Sequence, residues 1–355
     1  MTSNAKASQI DQFDPNGPGK PGSLFGLPFD EKTAELVIIP VPWEVTVSYR
    51  AGTANGPAAI LEASAQVDLF IPDIPEAWKM GMALLPSPPT LEEENQKYRD
   101  LAVSYINWLE SESGLISAGM KVIPRAVDEL AEKLQIYIRT TAETYIKQGK
   151  MVALLGGDHS TPLGLMQAVS KHYKSFGILQ IDAHADLRKA YEDFTYSHAS
   201  IMYNALELQQ VSRLVQVGIR DLCEEEDIRI RESEERIITY YDSDLKEEQF
   251  LGKTWKEQCE AIVANLPELV YISFDIDGLD PRYCPNTGTP VPGGLDFSQV
   301  MYLFRVLVRS GRKIIAFDLN EVAPGEDEWD ANVGARILYQ LGCLMGVSQG
   351  KLKFK

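Results

Sequence analysis

Two apolar segments of this chain end in alternating aspartate and histidine side chains, and this feature constrains the fold most strongly. The runs Phe176–Ile181 and 269–274 are short and apolar, which is typical of strands that are buried on both faces. Such strands occur in parallel sheets that helices cover on both sides. Strand-like and helix-like stretches also alternate along the chain. The pattern therefore predicts an α/β fold with a parallel sheet.

The residues at the ends of these strands predict a cluster of metal-binding side chains. Side chains at every second position of an extended segment point the same way, so the acidic and histidine residues within each segment converge. Open α/β sheets bind their ligands at the carboxyl ends of the strands. Three strand ends supply six such side chains: His159, Asp182, His184, Asp186, Asp275 and Asp277.

The charge of this cluster favours two divalent cations. Four carboxylates at a buried strand end repel one another, and their desolvation is unfavourable unless a counter-charge compensates. If Asp182 and Asp275 bridge two ions, each ion has four protein ligands. The assignment is His159, Asp182, Asp186 and Asp275 for one ion, and Asp182, His184, Asp275 and Asp277 for the other. Oxygen and imidazole ligands without a thiolate suit Mn²⁺ and leave Ni²⁺, Co²⁺ and Fe²⁺ open.

A simpler interpretation of each motif has to be weighed. A single Asp-x-His or Asp-x-Asp at a strand end is more often a turn or capping device than a metal ligand. The coincidence of three motifs favours metal binding, because only four histidines occur in 355 residues and three lie in or beside these segments. The fourth, His172, is expected on a helix surface.

Three segments resemble the signatures of the ureohydrolases, the arginase and agmatinase family. They are residues 156–160, 182–186 and 273–281, and the resemblance extends over residues 37–344. It implies an enzyme with two manganese ions per chain that hydrolyses a guanidino group to urea and an amine. It also implies a three-layer α/β/α fold with an eight-stranded, mostly parallel sheet, and the same six metal ligands.

The resemblance assigns roles to two further side chains, and the chemistry of the departing amine assigns one to Asp186. His198, in the segment 194–200, is similar to the histidine of a mobile loop that shuttles protons. Glu321, in the segment 317–324, is similar to the glutamate that binds the guanidinium. Asp186 is expected to relay a proton from the attacking hydroxide to the departing amine. His198 could instead serve only to cap the following helix.

The substrate is less well defined. In arginases a small polar residue stands where this chain has Arg188, and an aspartate that holds the substrate α-amine stands where it has Cys223. An inward Arg188 would favour a guanidino acid or a substrate without a distal cation, whereas an outward Arg188 would be a surface cation. An agmatinase-type enzyme is the preferred interpretation, with guanidine, arginine and 4-guanidinobutyrate as alternatives.

Two alternatives come from other functional classes. The first is a metal-dependent deacetylase, which shares the arginase fold but needs one zinc. His159 and Asp186 argue against it, because they complete a second metal position. The second is a non-catalytic metal-binding assembly protein, and the presence of His198 and Glu321 argues against that.

Composition limits the partners and the location. The net charge of −17 argues against nucleic acid or an anionic membrane as a partner. No run approaches the roughly 20 apolar residues of a membrane span. Four scattered cysteines without CxxC spacing suggest reduced thiols in the cytoplasm. The family suggests homo-trimers or homo-hexamers.

The chain is expected to contain one catalytic domain, residues 33–350, preceded by an arm. Residues 1–32 are polar and rich in glycine and proline towards their end, so an extended arm is predicted. Amphipathic helices are predicted at 91–112 and 127–147, and the five prolines of residues 70–89 predict a long surface excursion.

Overall fold

Eight parallel strands form one sheet in the computed structural model, which describes residues 2–111 and 119–355. The strands are β1 (Leu36–Val41), β2 (Met82–Leu84), β3 (Met151–Gly156), β4 (Phe176–Ile181), β5 (Val211–Ile219), β6 (Ile237–Tyr241), β7 (Leu269–Asp275) and β8 (Lys313–Asn320). Their order across the sheet is β2-β1-β3-β8-β7-β4-β5-β6. The predicted eight-stranded parallel sheet is confirmed.

Helices cover both faces of this sheet. Those that the structure describes are α1 (Thr2–Gln12), α2 (Gly56–Ser64), α3 (Pro89–Glu110), α4 (Ile123–Lys147), α5 (Leu163–His172), α6 (Ile201–Leu206), α7 (Glu224–Arg231), α8 (Asp242–Phe250), α9 (Trp255–Ala264), α10 (Phe297–Arg309) and α11 (Trp329–Ser348). Successive strand residues point to opposite faces. Ile38 of β1 therefore packs in the core that includes α2, α9, α10 and α11, and Val37 packs in the core that includes α3, α4 and α5. The three-layer α/β/α architecture is confirmed.

The two long predicted helices begin earlier than their apolar patterns suggest. Helix α3 begins at Pro89 rather than at residue 91, and α4 begins at Ile123 rather than at residue 127. Both have a proline in the first two positions, where its fixed φ suits the helix and its missing N–H is not needed. Helix α3 ends at Glu110, and residue 112 of the predicted range lies outside the described residues. Among the described residues, no helix combines the length and the apolar character needed to cross a bilayer.

The prediction of a surface excursion at residues 70–89 is wrong for much of that segment. Trp78 and Met80 are buried, and Met82–Leu84 form the edge strand β2 beside β1. The prolines flank this short strand and do not interrupt it. Because only three residues pair with β1, the strand has too little periodicity to be recognised from the sequence.

The amino-terminal segment also differs from the prediction, because Thr2–Gln12 form helix α1 and are not extended. Lys6 of this helix donates to the carbonyl of Met80 at 2.7 Å and forms an ion pair with Glu35 at 3.1 Å. The ring of Phe13 packs on Trp78, with centroids 5.0 Å apart. These contacts with the body of the protein stabilise a short helix whose own amphipathic pattern is weak.

Candidate metal centre and active site

The proposed ligands lie at the centre of the sheet because the strands that carry them are neighbours. In the order β3-β8-β7-β4, four adjacent strands present their carboxyl ends to one edge. His159 follows β3, Asp182 follows β4, and Asp275 is the last residue of β7. Residue 278 has to be glycine, because its backbone approaches that of Asp182. A Cβ on Gly278 would lie 2.6 Å from the amide nitrogen of Asp182.

The first donor cluster surrounds the Nδ1 atom of His159. This atom lies 3.0 Å from Oδ2 of Asp182, 3.1 Å from Oδ2 of Asp186 and 3.3 Å from Oδ2 of Asp275. His159, Asp182, Asp186 and Asp275 are all buried. Four ligand-type atoms thus point at one small space.

The second donor cluster surrounds the Nδ1 atom of His184. This atom lies 3.0 Å from Oδ2 of Asp277 and 3.7 Å from Oδ1 of Asp182. Asp182 therefore offers one oxygen to each cluster, which is the geometry expected of a bridging ligand. The structure brings the six predicted ligands together as two clusters that share this carboxylate. Among the described contacts, Asp275 belongs only to the first cluster, so its predicted bridging role stays a prediction.

The hydrogen bonds of His159 test whether these residues fit a metal. Ser273 Oγ donates to Oδ1 of Asp318 at 3.0 Å, so it must accept from Nε2 of His159, which lies 2.9 Å away. The ring is then protonated at Nε2 and turns the Nδ1 lone pair towards three carboxylate oxygens. Among the described residues, Nδ1 has no hydrogen-bond partner. Since lone pairs facing one another repel, a cation at this position fits the donor set.

The acidity of the buried carboxylates supports the same conclusion. Burial, followed by the negative charges of Asp277 and Asp182, raises the pKa of Asp275 well above its usual range. Burial and Asp182 raise the pKa of Asp186 to about 7. Burial alone would also raise the pKa of Asp182, but the neighbouring imidazoles of His159 and His184 lower it. Because the cluster cannot hold all its negative charge without counter-ions, it is suited to two divalent cations.

Glu321 lies beside these clusters in a conformation that few residues adopt. Its φ of +62° is left-handed, and Thr287 donates to its carbonyl at 2.8 Å. Its side-chain Oε1 accepts the backbone N–H of His159 at 2.8 Å, and the residue is buried. Burial, followed by the charge of Asp158, raises the pKa of Glu321 well above its usual range. A cationic group placed against this carboxylate would restore its charged form.

His198 begins a short 3-10 turn after a loop. Ser197 Oγ accepts the backbone N–H of Ala199 and lies 3.3 Å from Nδ1 of His198. The ring of Tyr191 meets the imidazole edge-on, with centroids 5.9 Å apart. Burial, followed by the charges of His184 and His159, lowers the pKa of His198 to about 3, so the ring is neutral at neutral pH. His172, by contrast, is exposed at the end of α5.

One cavity of about 170 Å³ connects these groups. Its walls include His159, His184, Asp186, His198 and Glu321. The cavity therefore joins both donor clusters, a buried carboxylate and a neutral imidazole in one small polar space. This is the arrangement of an active site that binds a small cationic substrate.

Comparison with known proteins identifies the family. Residues 34–343 match the sequence model described as the arginase family. The chain belongs to the arginase family. Enzymes of this family are metal-dependent and hydrolyse guanidino compounds, and this chain is such a ureohydrolase with a binuclear centre for divalent metal ions.

Curated relatives in the arginase family cover nearly the whole chain. An N(1)-aminopropylagmatine ureohydrolase of Thermus thermophilus is 30% identical over 325 residues, which are 92% of this chain and 94% of the relative. An agmatinase of Neisseria meningitidis is 29% identical over 324 residues, 90% of each chain. The solved agmatine ureohydrolase of Thermoplasma volcanium has a TM-score of 0.70 at 22% identity and covers 97% of this chain and 99% of its own. The last comparison confirms the arginase fold.

Within this arginase-family site, Arg188 lies at the cavity wall. Its Nε atom is 3.6 Å from Oε2 of Glu226, and its guanidinium lies over the ring of Tyr191 at 5.0 Å. Just over a third of its side chain, 37%, is exposed. Arg188 is thus neither a free surface cation nor an unpaired charge aimed at the metal centre.

Cys223, the second residue predicted to contact substrate, is not among the described residues that line the cavity. It precedes α7, and its backbone N–H donates to Oε2 of Glu226 at 2.9 Å. The neighbouring Asp221 and Leu222 line the cavity instead. A contact between Cys223 and the substrate stays a prediction.

Two acidic residues at the cavity were not predicted. Asp221 is exposed and its Oδ2 lies 3.9 Å from Nε2 of His184. Glu226 is buried, and its Oε1 accepts the backbone N–H of Leu187 at 2.9 Å. The position of Asp221 just after β5 was an available signal, since strand ends form this site. Glu226 follows no strand, so only its capping interaction with Cys223 could have suggested it.

Proposed function

We propose that this chain is an agmatinase-type enzyme that hydrolyses the guanidino group of a linear amine to urea and the free amine. The observation that carries the proposal is the position of Glu321 beside two donor clusters that share Asp182, all against one cavity. Relatives named N(1)-aminopropylagmatine ureohydrolase and agmatinase support the choice of a guanidino amine.

The mechanism follows from the charge of the substrate. A guanidinium is resonance-stabilised and therefore a poor electrophile. The two divalent ions, when bound, lower the pKa of water towards neutrality and so supply a strong nucleophile. Glu321 pairs with the guanidinium nitrogens and holds the plane of the group in position for attack. Asp186 accepts a proton from the attacking water, and the neutral ring of His198 relays a proton to the amine as it leaves.

Asp221 supports a substrate that carries a second, distal cation. Its carboxylate lies at the cavity and is largely exposed, with 65% of the side chain accessible. Arg188, which would repel such a cation, is paired with Glu226 and stacked on Tyr191. An amine at the far end of the substrate could then bind Asp221 with little repulsion from Arg188.

A guanidino acid such as 4-guanidinobutyrate is the second candidate. The observation that favours it is that Arg188 does line the cavity, so a carboxylate could compete with Glu226 for its guanidinium. A guanidinobutyrase of Pseudomonas aeruginosa is 26% identical over 346 residues. Arginine and guanidine remain alternatives of the same reaction class. The deacetylase is less well supported, because two donor clusters exceed the need of a one-zinc enzyme.

The proposal includes the metal, the assembly and the location. Mn²⁺ is the proposed metal, with Ni²⁺ as the alternative, because the donors are carboxylate oxygens and imidazole nitrogens. A homo-trimer or homo-hexamer is the proposed assembly. Light scattering of the metal-loaded protein would measure the assembly.

The proposed location is the cytoplasm. The four free cysteines, three of them buried, are compatible with a reducing compartment.

A urea-release screen tests the substrate. The protein is loaded with Mn²⁺ or Ni²⁺ and assayed with agmatine, N(1)-aminopropylagmatine, 4-guanidinobutyrate, arginine and guanidine. The largest kcat/KM is expected for one of the two guanidino amines. A preference for 4-guanidinobutyrate would overturn the choice of substrate, and failure to release urea from any of them would overturn the proposed function.

Two substitutions test the distal contacts. Asp221→Asn should raise KM for guanidino amines by about tenfold, since a charge-assisted contact contributes about 1.5 kcal/mol, and should leave guanidine unaffected. Arg188→Ala should change the ratio of rates between guanidino acids and guanidino amines. Glu224→Gln is the matched control for charge, because Glu224 is exposed on α7 and does not line the cavity. Unchanged KM values in Asp221→Asn would exclude the distal contact.

A further inference from the structure

Helix α3 contacts the loop that carries His198. This loop, residues 187–200, is called the His198 loop below. The hydroxyl of Tyr105 in α3 donates to Oδ2 of Asp193 at 2.6 Å. Its ring also meets the fully buried ring of Phe194 edge-on, with centroids 5.7 Å apart. Tyr105 therefore holds the loop by one polar contact and one apolar contact.

The contacted part of the loop is a tight turn with an unfavourable sequence. The backbones of Tyr191 and Phe194 exchange hydrogen bonds of 3.1 and 2.9 Å, so Glu192 and Asp193 form the tip. Both tip residues have positive φ, +50° and +64°. A two-residue turn of this kind normally has Asn-Gly or a similar pair, because few other residues adopt positive φ at low cost. The Glu-Asp pair needs support from outside the turn.

The turn positions Tyr191, which contacts two other residues of the cavity wall. Tyr191, its first residue, contacts the His198 ring edge-on and lies under the guanidinium of Arg188 at 5.0 Å. All three residues line the cavity. A change in the turn would therefore move Tyr191 and with it the imidazole that faces the substrate.

The same helix also holds a second wall of the cavity. Arg99, six residues before Tyr105 in α3, is half-buried and donates to the carbonyls of Val45 and Val47. Ser48, the next residue in that segment, lines the cavity. Helix α3 thus supports two loops that meet at the active site, although none of the residues described in this helix lines the cavity itself.

We infer that Tyr105 is a positioning residue for turnover, because its hydroxyl holds the 191–194 turn in the conformation that sets Tyr191 against His198. The inference rests on the proposed role of His198 in guanidino hydrolysis. Burial and the neighbouring Asp193 raise the pKa of Tyr105 to about 12, so the hydroxyl remains a donor over the working pH range. Tyr105 touches no reacting atom, so its effect is exerted through the turn.

The first test compares Tyr105→Phe with the parent enzyme, after urea release by the parent has been established. The phenylalanine keeps the ring contact with Phe194 and removes only the hydroxyl. We expect kcat to fall by roughly ten- to a hundredfold, as for groups misplaced by about an ångström, with KM and bound metal unchanged. Tyr98→Phe on the same helix is the control, since Tyr98 makes no hydrogen bond with the loop among the described residues. A kcat within twofold of the parent would overturn the inference.

A rescue experiment separates positioning from general structural support. The substitutions Glu192→Asn and Asp193→Gly give the turn a sequence that adopts positive φ without the contact to Tyr105. In the Tyr105→Phe background this pair of substitutions is expected to restore kcat to within about threefold of the parent. A loss of kcat that the rescue leaves unchanged would mean that Tyr105 does not act through the turn.

A double-mutant cycle tests whether Tyr105 acts through His198. If it does, adding Tyr105→Phe to the His198→Ala variant should lower kcat no further, whereas Tyr105→Phe alone lowers the kcat of the parent enzyme. Equal slowing in both backgrounds would overturn the proposed path. Full activity of His198→Ala alone would instead show that the proposed proton donor is wrong, which is a failure of the proposed function and not of the contact between Tyr105 and the turn.

Discussion

Asp182 is the residue that joins the two donor clusters of the candidate site. It is fully buried, and its two oxygens lie in different donor clusters. A hydrogen bond of 2.8 Å from Gln180 and one of 2.7 Å from the backbone of His184 hold its orientation. A carboxylate fixed in this way cannot turn to compensate for a missing ion, so both metal positions depend on it.

Asp182→Asn, and likewise Asp275→Asn, should abolish urea release and reduce bound metal below two ions per chain. The amide removes one negative charge and one metal-binding oxygen from a site that needs both. Elemental analysis after loading with Mn²⁺ measures the number of bound metal ions per chain. Asp280→Asn is a suitable control, because Asp280 lies just after β7, the strand that ends at Asp275, and does not line the cavity. An active Asp182→Asn enzyme with two ions would contradict the bridging assignment.

His198→Ala should retain both metal ions but lower kcat by about a hundredfold, the usual contribution of a general acid. The imidazole lies at the cavity wall and outside the two donor clusters, so its removal leaves the ligand set intact. Steady-state kinetics together with metal analysis measures both effects. If the variant lost its metal, His198 would be a ligand and not a proton donor.

At the scale of single elements, the strand ends determine the positions of the functional groups. Two of these groups have left-handed backbones, Asp186 with φ +55° and Glu321 with φ +62°. Such conformations cost on the order of 1 kcal/mol each in residues other than glycine. The surrounding hydrogen bonds maintain them, including that from the Glu321 N–H to the carbonyl of Gly157 at 2.8 Å. This hydrogen bond ties the residue that binds the guanidinium in the proposed mechanism, Glu321, to the turn after β3, which leads to His159.

Gly157→Ala is expected to destabilise the turn after β3 and weaken metal binding. A Cβ at this position would lie 1.9 Å from the carbonyl oxygen of Trp43, so the backbone that leads to His159 must shift. The expected loss is about 1–3 kcal/mol in the free energy of unfolding, measured with urea, together with a weaker affinity for Mn²⁺. Gly17→Ala is the control, because its closest contact is the flexible, exposed side chain of Asp14. Equal metal affinity in Gly157→Ala and the parent would show that the turn tolerates the shift.

At the scale of the whole molecule, an ion-pair group at the sheet end opposite the active site joins three distant parts of the chain. Glu35, just before β1, pairs with Lys6 of α1 at 3.1 Å and with Lys351 near the carboxyl terminus at 2.7 Å. Burial raises the pKa of Glu35, but its hydrogen bonds and charge interactions with Lys351 and Lys6 outweigh that effect and lower it. The charged form of Glu35 therefore stabilises the fold.

Glu35→Gln should lower the free energy of unfolding by about 0.5–1 kcal/mol at pH 7, the range for partly exposed ion pairs. Because the folded state lowers the pKa of Glu35, its contribution is fully present above the unfolded-state value of about 4.3 and is lost as the pH falls through the folded value. The difference between parent and variant in urea unfolding should thus be smaller at pH 4 than at pH 7. Glu62→Gln, an exposed substitution on α2, is the control. A difference that grew at low pH would contradict this role.

The class of fold and the identity of the clustered side chains can be predicted from the amino-acid sequence. Apolar runs such as Phe176–Ile181 can be recognised because a strand buried on both faces needs an unbroken apolar sequence. Asp182, His184 and Asp186 follow directly after such a run, so their place at a strand end can be predicted, although β4 stops at Ile181 and the left-handed backbone of Asp186 is not strand geometry. The family membership follows from the same segments, and its confirmation required only the match over residues 34–343.

The side chains of the outer cavity wall, and the contacts that support it, become visible only in the folded protein. The pairing of Arg188 with Glu226 joins two separate segments, and the contact of Tyr105 with Asp193 joins residues 88 positions apart. The helical conformation of Thr2–Gln12 likewise depends on contacts with the body of the protein and not on its own pattern. Contacts between distant segments depend on how whole elements pack, and no local sequence pattern records that.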